Sequence, residues 1–396
     1  VDNPVCGWSN LSSLPASLFG LFPGVFVRVD FAFIIRNYEL EMQRRVLWMC
    51  ARSVACFPRS DFGAGMKPFK AYLIEEKDGK VESRFTTLAP EALDAGEVTI
   101  RVVASSVNYK DALAATGAGK IIRRFPGVGG IDMAGVVVES ADGRFKAGDA
   151  VIATSFDIGV AHHGGYAEMA RVPANWVVPL PQGLSMYEAM ALGTAGFTAA
   201  LGIVRMEENG LTPAKGPVIV SGATGGVGSL AVDMLARRGY HVVALTGKES
   251  ETAFLKELGA AEVMLRQSLN LEKIRPLDKA LWAGAVDNLG GDVLAWMAST
   301  MKQGGTIASI GLAASHTLNT TVMPFILRGA SLLGIDSGYI GEPYRSGIWQ
   351  RLASDMKPPH LAAMARKVAF DELPGLFPEY LAGRARGRVV VDVGGV

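Results

Sequence analysis

A chain of 396 residues, 49% hydrophobic and 19% charged, is long for one compact domain and comfortable for two. Its 39 basic and 38 acidic side chains leave a formal net charge of +1, which supplies no field for gathering nucleic acid or an anionic membrane surface. The three cysteines, Cys6, Cys50 and Cys56, all precede Met66, so the pattern argues against a disulfide framework and leaves the body of the chain without a thiolate for metal, redox or nucleophilic work.

The first 65 residues differ from the rest. Their apolar run LFGLFPGVFVRVDFAFII is interrupted by Pro23, Arg28 and Asp30, so no uncharged stretch of that run reaches the ~18 residues of a membrane helix. A secretory signal fits poorly, because no basic n-region precedes the run. From Met66, MKPFKAYLIEE resembles a natural amino terminus entering a strand. Residues 1–65 are therefore expected to be upstream or cloning-derived sequence, with a lineage-specific extension or targeting segment as the alternative.

Residues 66–190 are rich in β-branched residues and punctuated by turns, as in EVTIRVVASSVN, DMAGVVVES, DAVIATSF and NWVVPLP. This spacing predicts a mostly antiparallel, barrel-like domain. From residue 191 the rhythm becomes strand, helix, strand: PVIVSG, GGVGSLAVDMLARRG, HVVALTG, ESETAFLKELGA and EVML, then GAVDNLGG, GGTIASIG and ASLLGIDS. Short apolar strands ending in Gly or Asp predict a parallel sheet covered on both faces. After Ser337 a polar helical region leads to the strand GRVVVDVGG, which can return to the first domain.

In SGATGGVGSLAVDML, Gly222, Gly225 and Gly228 follow a predicted strand and open a predicted helix, with a second strand about 20 residues on. That setting points backbone N–H groups of Thr224, Gly225, Gly226 and Val227 at a pyrophosphate. The alternative is a tight turn with close helix packing. At the end of the second strand, where an NAD site usually offers a carboxylate to the ribose, this chain has Thr246, Gly247 and Lys248. A lysine and a threonine hydroxyl suit a 2′-phosphate, which favours NADPH; a solvated lysine is the plainer alternative. Arg266 can lie over the adenine, reach the phosphate, or be a surface arginine.

Together with SSVNYKDALAATGAGKIIRRFPGVGGIDMAGVV, LGTAGFTAAL, LWAGAVDNLGG and TTVMPFILRGASLLGIDS, these segments make the chain from Met66 resemble the zinc-free quinone oxidoreductases of the medium-chain dehydrogenase/reductase superfamily, in particular the bacterial acrylyl-CoA reductases. The resemblance implies an α/β fold with a GroES-like catalytic domain (66–190, completed by 338–396) and an inserted Rossmann domain (191–337). It implies NADPH-dependent reduction of an activated C=C bond, a homodimer, and a cytoplasmic enzyme whose partner is a small molecule, with no nucleic acid and no membrane. Tyr109, in Asn108-Tyr109-Lys110-Asp111, matches a position beside the cofactor and is expected to orient the nicotinamide or assist protonation, or else to pack under the cleft. Asn108 is expected to bond the substrate or fix the loop, and Lys110 and Asp111 to form a structural ion pair.

Further expectations from the resemblance place Thr194 near the nicotinamide ribose, or as a helix cap, and Gly311 and Leu312 with their backbone toward the nicotinamide amide. Arg123 and Arg124 can meet acyl-CoA phosphates or stand as exposed loop arginines. No metal is expected: zinc-dependent relatives use cysteine ligands, this chain has none after Cys56, and His162 and His163 lack a third ligand. Two alternatives remain open, a quinone or enone reductase and a non-catalytic NADPH-binding structural or RNA-binding protein. A short-chain dehydrogenase is disfavoured, because no Tyr-x-x-x-Lys pair follows the glycines.

Overall fold

The apolar runs separate into three sheets in the computed structural model, which describes residues 67–394; the extension of 1–65 and its cysteines lie outside the described residues. A seven-stranded sheet runs Ala365–Ala369, Arg388–Asp392, Val98–Ser106, Asp132–Ser140, Ala150–Thr154, Val177–Pro179, and Met169–Val172 also pairs with Val98–Ser106. Its pairs are antiparallel except that of Ala365–Ala369 with Arg388–Asp392. GRVVVDV therefore does return to the first sheet, where Val390 faces Ser106. A small three-stranded sheet joins Phe69–Lys77 to Lys80–Leu88 and Gly127–Val128.

The third sheet has six parallel strands in the order Glu262–Leu265, Val242–Thr246, Val218–Ser221, Trp282–Asp287, Met301–Ser309, Ser331–Gly334. The chain enters at the centre, builds one half outward and returns to build the other. Strand order thus reverses between Val218–Ser221 and Trp282–Asp287, and ligands bind beyond the carboxyl ends at such a switch point. Both strands are buried along their whole length, which is why their sequences are continuous apolar runs rather than alternating ones.

The long helix Met186–Glu208 packs on both large sheets. Ser185 caps it by accepting from Glu188 N, and Glu188 Oε2 accepts in turn from Ser185 N at 2.9 Å. It is apolar enough in composition to cross a membrane, but 89% of its most apolar window is buried inside the protein. It is a core helix. Phe197, from this helix, is fully buried against Trp349 with ring centres 5.8 Å apart, and burying one such side chain contributes roughly 1.5–3 kcal/mol. The boundary expected at 190/191 falls inside this helix, just before a break at Gly193.

Candidate active site

The glycine stretch forms the expected strand, turn and helix. Gly222 turns the chain at φ +57°, and the helix Gly226–Arg237 begins directly after Gly225. A Cβ at Gly228 would sit 2.2 Å from Gly222 O, so the helix start can press against the turn only with glycine there. The first bond of the helix runs from Ser229 N to Gly225 O at 2.9 Å, and no side chain caps its N-terminus. The amides of Gly226, Val227 and Gly228 precede that bond and have no partner within the helix, the donor set that a pyrophosphate requires. Thr224 is buried, and its carbonyl accepts from Gly387 N at 3.1 Å.

At the adenosine end, Thr246 is buried and its Oγ1 accepts from Lys248 N at 3.0 Å. Lys248 does not extend over the strand end: its Nζ donates to Ala385 O at 3.1 Å, and burial draws its pKa down against the pull of Glu251 and Glu379. The better placed cation is Arg266, whose guanidinium atoms lie 3.7–3.8 Å from where a Cβ of Gly247 would be. At the other end, Gly311 approaches so closely that a Cβ would lie 2.4 Å from Asn288 O. The Gly311 amide donates to Asp287 O at 3.1 Å, which removes it as a donor to a ligand, while Leu312 is 66% exposed.

A buried polar hub around Asp132, which no feature of the sequence announced, joins the seven-stranded sheet to the helix Met186–Glu208. Asp132 Oδ2 accepts from Ser106 Oγ (2.6 Å), Asn108 Nδ2 (2.8 Å) and Thr194 N (3.0 Å), and Oδ1 accepts from the Thr194 hydroxyl. Thr194 Oγ1 also lies 3.0 Å from Ser155 Oγ. Arg388 lies across the hub, with Nη2 4.0 Å from Asp132 Oδ2, Nη1 donating to Asn108 Oδ1 (3.1 Å) and Val107 O (3.2 Å), and Nε donating to Ala191 O (2.9 Å). Arg388 Nη1 would also stand 3.1 Å from a Cβ at Gly226, so the same guanidinium abuts the glycine loop. One buried ion pair thereby ties together the cofactor loop, the loop before Tyr109 and the broken helix.

This hub separates the alternative readings of two residues. Asn108 has its carboxamide engaged on both sides, by Asp132 and by Arg388, so it positions the loop and does not reach substrate. Thr194 opens the second half of Met186–Glu208, directly after Gly193 breaks the helix at φ 50°, ψ −155°, but its hydroxyl does not cap that half. The break turns its amide and hydroxyl onto Asp132. Tyr109, first residue of the helix Tyr109–Thr116, is 46% exposed, which is not the packed alternative. Asp111 is not paired with Lys110: its carboxylate accepts from Asn108 N at 2.8 Å and Ile131 N at 3.0 Å. Burial, and then the neighbouring Asp132, push its pKa up to about 7.

The remaining candidates make no direct bond to the hub. Arg124 donates to Asp94 Oδ1 at 2.6 Å, and Arg123 reaches Asp157 Oδ1 and Tyr339 Oη, each at 3.4 Å. His162 Nδ1 lies 3.6 Å from Asp94 Oδ2, whereas His163 Nδ1 accepts from Val128 N at 3.0 Å and is held below its ordinary pKa by burial. Among the described residues, no three His, Cys, Asp or Glu side chains converge on a possible metal position.

Known proteins share this architecture. The family described as "Alcohol dehydrogenase GroES-like domain" matches residues 94–182, and "Zinc-binding dehydrogenase" matches 226–354. A putative quinone oxidoreductase of Bacillus subtilis is 48% identical over 82% of this chain and 99% of its own length. An acrylyl-CoA reductase of Ruegeria pomeroyi is 46% identical over 82% and 99%. Among solved structures, an oxidoreductase from Salmonella enterica in complex with NADP superposes with a TM-score of 0.80 at 45% identity, covering 82% of this chain and 99% of that one. A Bacillus subtilis protein with NAD bound superposes at 0.81 and 47% identity, over 83% and 100%. The GroES-like and Rossmann-like halves, the glycine cradle at the switch point and these likenesses together place the chain in the medium-chain dehydrogenase/reductase superfamily of oxidoreductases.

Proposed function

We propose that this protein reduces the C=C bond of an α,β-unsaturated acyl-CoA, acrylyl-CoA above all, with NADPH and without zinc. The observation that carries the proposal is the near-full-length likeness to an acrylyl-CoA reductase, joined to a half-exposed Tyr109 on a loop clamped beside the glycine cradle. NADPH, when bound, supplies the hydride that the β-carbon of the substrate receives.

The chain's own residues orient the reactants and meet the charge that develops on the thioester oxygen. The Gly226–Gly228 amides hold the pyrophosphate, and Arg266 with Thr246 faces the 2′-phosphate. Thr194 donates to Asp132 and accepts from Ser155 Oγ, and this fixed hydroxyl supports a role for it beside the nicotinamide ribose. Tyr109 Oη is the exposed donor on the substrate side and would stabilise the enolate oxygen. The α-carbon takes its proton from solvent or from Tyr109. Nothing in this scheme calls for a Lewis acid, and the two histidines of the adjoining loop are engaged by Asp94 and Val128.

A quinone or enone reductase is the second reading, favoured by the likeness to the Bacillus subtilis protein. Steady-state rates with acrylyl-CoA, crotonyl-CoA and a simple quinone separate the two. We also assign residues 66–190 with 338–396 to the catalytic domain and 191–337 to the nucleotide-binding domain of a cytoplasmic enzyme. The assembly we assign is a homodimer. Ser331–Gly334 is an edge strand, and Leu332 within it and Val322, Met323, Ile326 and Leu327 in the segment before it are all exposed. An unpaired edge flanked by apolar side chains is suited to a second copy of itself.

A further inference from the structure

The two arginines of the loop after helix Tyr109–Thr116 are not equivalent. Arg124 is fixed, with Nη2 bonded to Asp94, whose carboxylate also accepts from His163 N at 2.6 Å. Arg123 has only distant partners, Asp157 Oδ1 and Tyr339 Oη at 3.4 Å, well beyond the 2.7–2.9 Å typical of a charge-assisted bond. Its side chain is 63% exposed.

Two chain routes link this guanidinium to the hub at Thr194. Along the first, Ser155 bonds Thr194 at the hub, and Ser155 and Phe156 both turn with positive φ, +65° and +49°, to deliver Asp157 directly after them. Along the second, Ser337 Oγ accepts from Thr198 Oγ1 at 2.6 Å, one helical turn beyond Thr194, and Tyr339 follows two residues on. Tyr339 Oη then donates to Asp157 Oδ1 at 2.9 Å and closes the circuit. Non-glycine residues at positive φ are costly and persist where surroundings over-determine them.

The surroundings here are rigid. Phe156 stacks on Trp176 with ring centres 5.4 Å apart and planes within 6°, and the buried Arg345 packs on the same residue with its guanidinium 4.3 Å from the Phe156 ring centre. Tyr339 stands edge-on to Phe156 at 6.3 Å and is itself 52% exposed. A loosely held guanidinium thus stands beside an exposed aromatic ring on a stiff aromatic base, at the outer end of a path that begins at Thr194.

We propose that Arg123 and Tyr339 form the subsite for the phosphorylated adenosine of a coenzyme A thioester, Arg123 taking a phosphate and Tyr339 stacking on the base. The proposal rests on the acyl-CoA reading above. Arginine matches a phosphate in charge and planar donor geometry, and a tyrosine face accepts a purine. Asp157 is the competitor that the phosphate displaces; Tyr339 Oη continues to donate to it after Arg123 swings away.

The test compares acrylyl-CoA with the acrylyl thioester of N-acetylcysteamine, which carries the same reacting group and no nucleotide. Arg123→Gln is expected to raise KM for acrylyl-CoA by about tenfold and Tyr339→Ala by several-fold, with the N-acetylcysteamine thioester's KM within about twofold of wild type in both. NADPH affinity, read by cofactor fluorescence, reports whether the cofactor site is intact. An unchanged acrylyl-CoA KM in both variants, or a parallel rise for both thioesters, overturns the subsite. Should the wild-type protein reduce neither thioester, the acyl-CoA reading fails and the subsite is judged by calorimetry alone. Adenosine 3′,5′-bisphosphate titrated into protein saturated with NADP+ should then bind saturably to wild type and at least about tenfold more weakly to Arg123→Gln; equal binding, or none to either, overturns the proposal.

Discussion

Arg388 Nη1 donates to Asn108 Oδ1 at 3.1 Å across 280 residues of chain, and through that bond the last strand of the protein holds the loop that presents Tyr109. Removing the guanidinium leaves Asp132 buried without its cation, a loss that typically costs about 3–5 kcal/mol. Arg388→Leu should therefore be destabilised by that order in urea unfolding. Asn108→Ala keeps the Asp132–Arg388 pair and should be milder in stability, at about 1–2 kcal/mol, while lowering kcat more than it changes NADPH affinity. Equal losses of kcat and of cofactor affinity would show that Asn108 acts on the cofactor instead of on the Tyr109 loop.

Gly193 breaks the helix Met186–Glu208 in a conformation open only to glycine, and a Cβ there would lie 2.6 Å from Asp132 Oδ2 and 2.8 Å from both Arg388 Nη2 and Ser106 Oγ. Gly193→Ala combines backbone strain with intrusion into the hub. A loss of roughly 2 kcal/mol or more is expected, together with a fall in kcat as Thr194 is displaced. A variant of wild-type stability in denaturant titration would mean that the break is not required.

How much of the fold and the site is legible in the sequence differs from feature to feature. SGATGGVG, with VIV before it and an amphipathic run after it, carries the cradle because its geometry is local. The return of GRVVVDV to the first sheet is likewise visible as a short apolar strand left without a neighbour. The hub is not. LGTAGF has the composition of an uninterrupted helix, Asp132 in GGIDMAGVV looks like a turn residue entering a strand, and Arg388 in GRVVVD looks like a solvated strand end. Only the meeting of residues 256 positions apart turns these two charges into a buried pair, and spacing along the chain contains no trace of it. Lys248 shows the same limit: a lysine at the end of the second strand suits a 2′-phosphate, and its bond to the carbonyl of Ala385, from a distant segment, is not written in the local sequence.

Cofactor discrimination should follow that difference. With Lys248 donating to Ala385 O and Arg266 beside Gly247, Arg266→Ala is expected to weaken NADPH binding about tenfold and NADH binding hardly at all. Lys248→Ala should weaken NADPH binding only about two- to threefold. Fluorescence titrations with both dinucleotides measure this directly, and the reverse ranking would restore the lysine as the principal phosphate ligand.

Asp111 gives the protein a pH signature. Its pKa, raised to about 7 by burial and then by Asp132, lies above the ordinary carboxylate value of the unfolded chain, so the folded state binds more protons between about pH 4 and 7. Its protonation favours the folded state at low pH, and this contribution is lost as pH rises through that window, by up to about 1.4 kcal/mol per pH unit. The stability of wild type minus that of Asp111→Asn, from urea unfolding across about pH 5 to 8, should therefore decline with rising pH and level off above about 7. A flat difference would place the Asp111 pKa near that of an ordinary carboxylate.

The exposed edge beside Ser331–Gly334 supplies a prediction about assembly. Ile326→Asp with Leu327→Asp places two charges on the apolar flank and should convert a dimer to monomer in analytical ultracentrifugation, with the nucleotide cradle intact. A wild-type protein that sediments as a monomer at micromolar concentration would rule out the homodimer.

Reduction of an activated C=C bond of an acyl-CoA with NADPH is tested by the steady-state oxidation of NADPH in the presence of acrylyl-CoA, crotonyl-CoA or a simple quinone, with propionyl-CoA identified by mass spectrometry. Acrylyl-CoA is expected to give stoichiometric propionyl-CoA, with a kcat/KM at least about tenfold above that for the quinone. Comparable kcat/KM for all three acceptors, or NADPH oxidation without propionyl-CoA, would contradict the assignment.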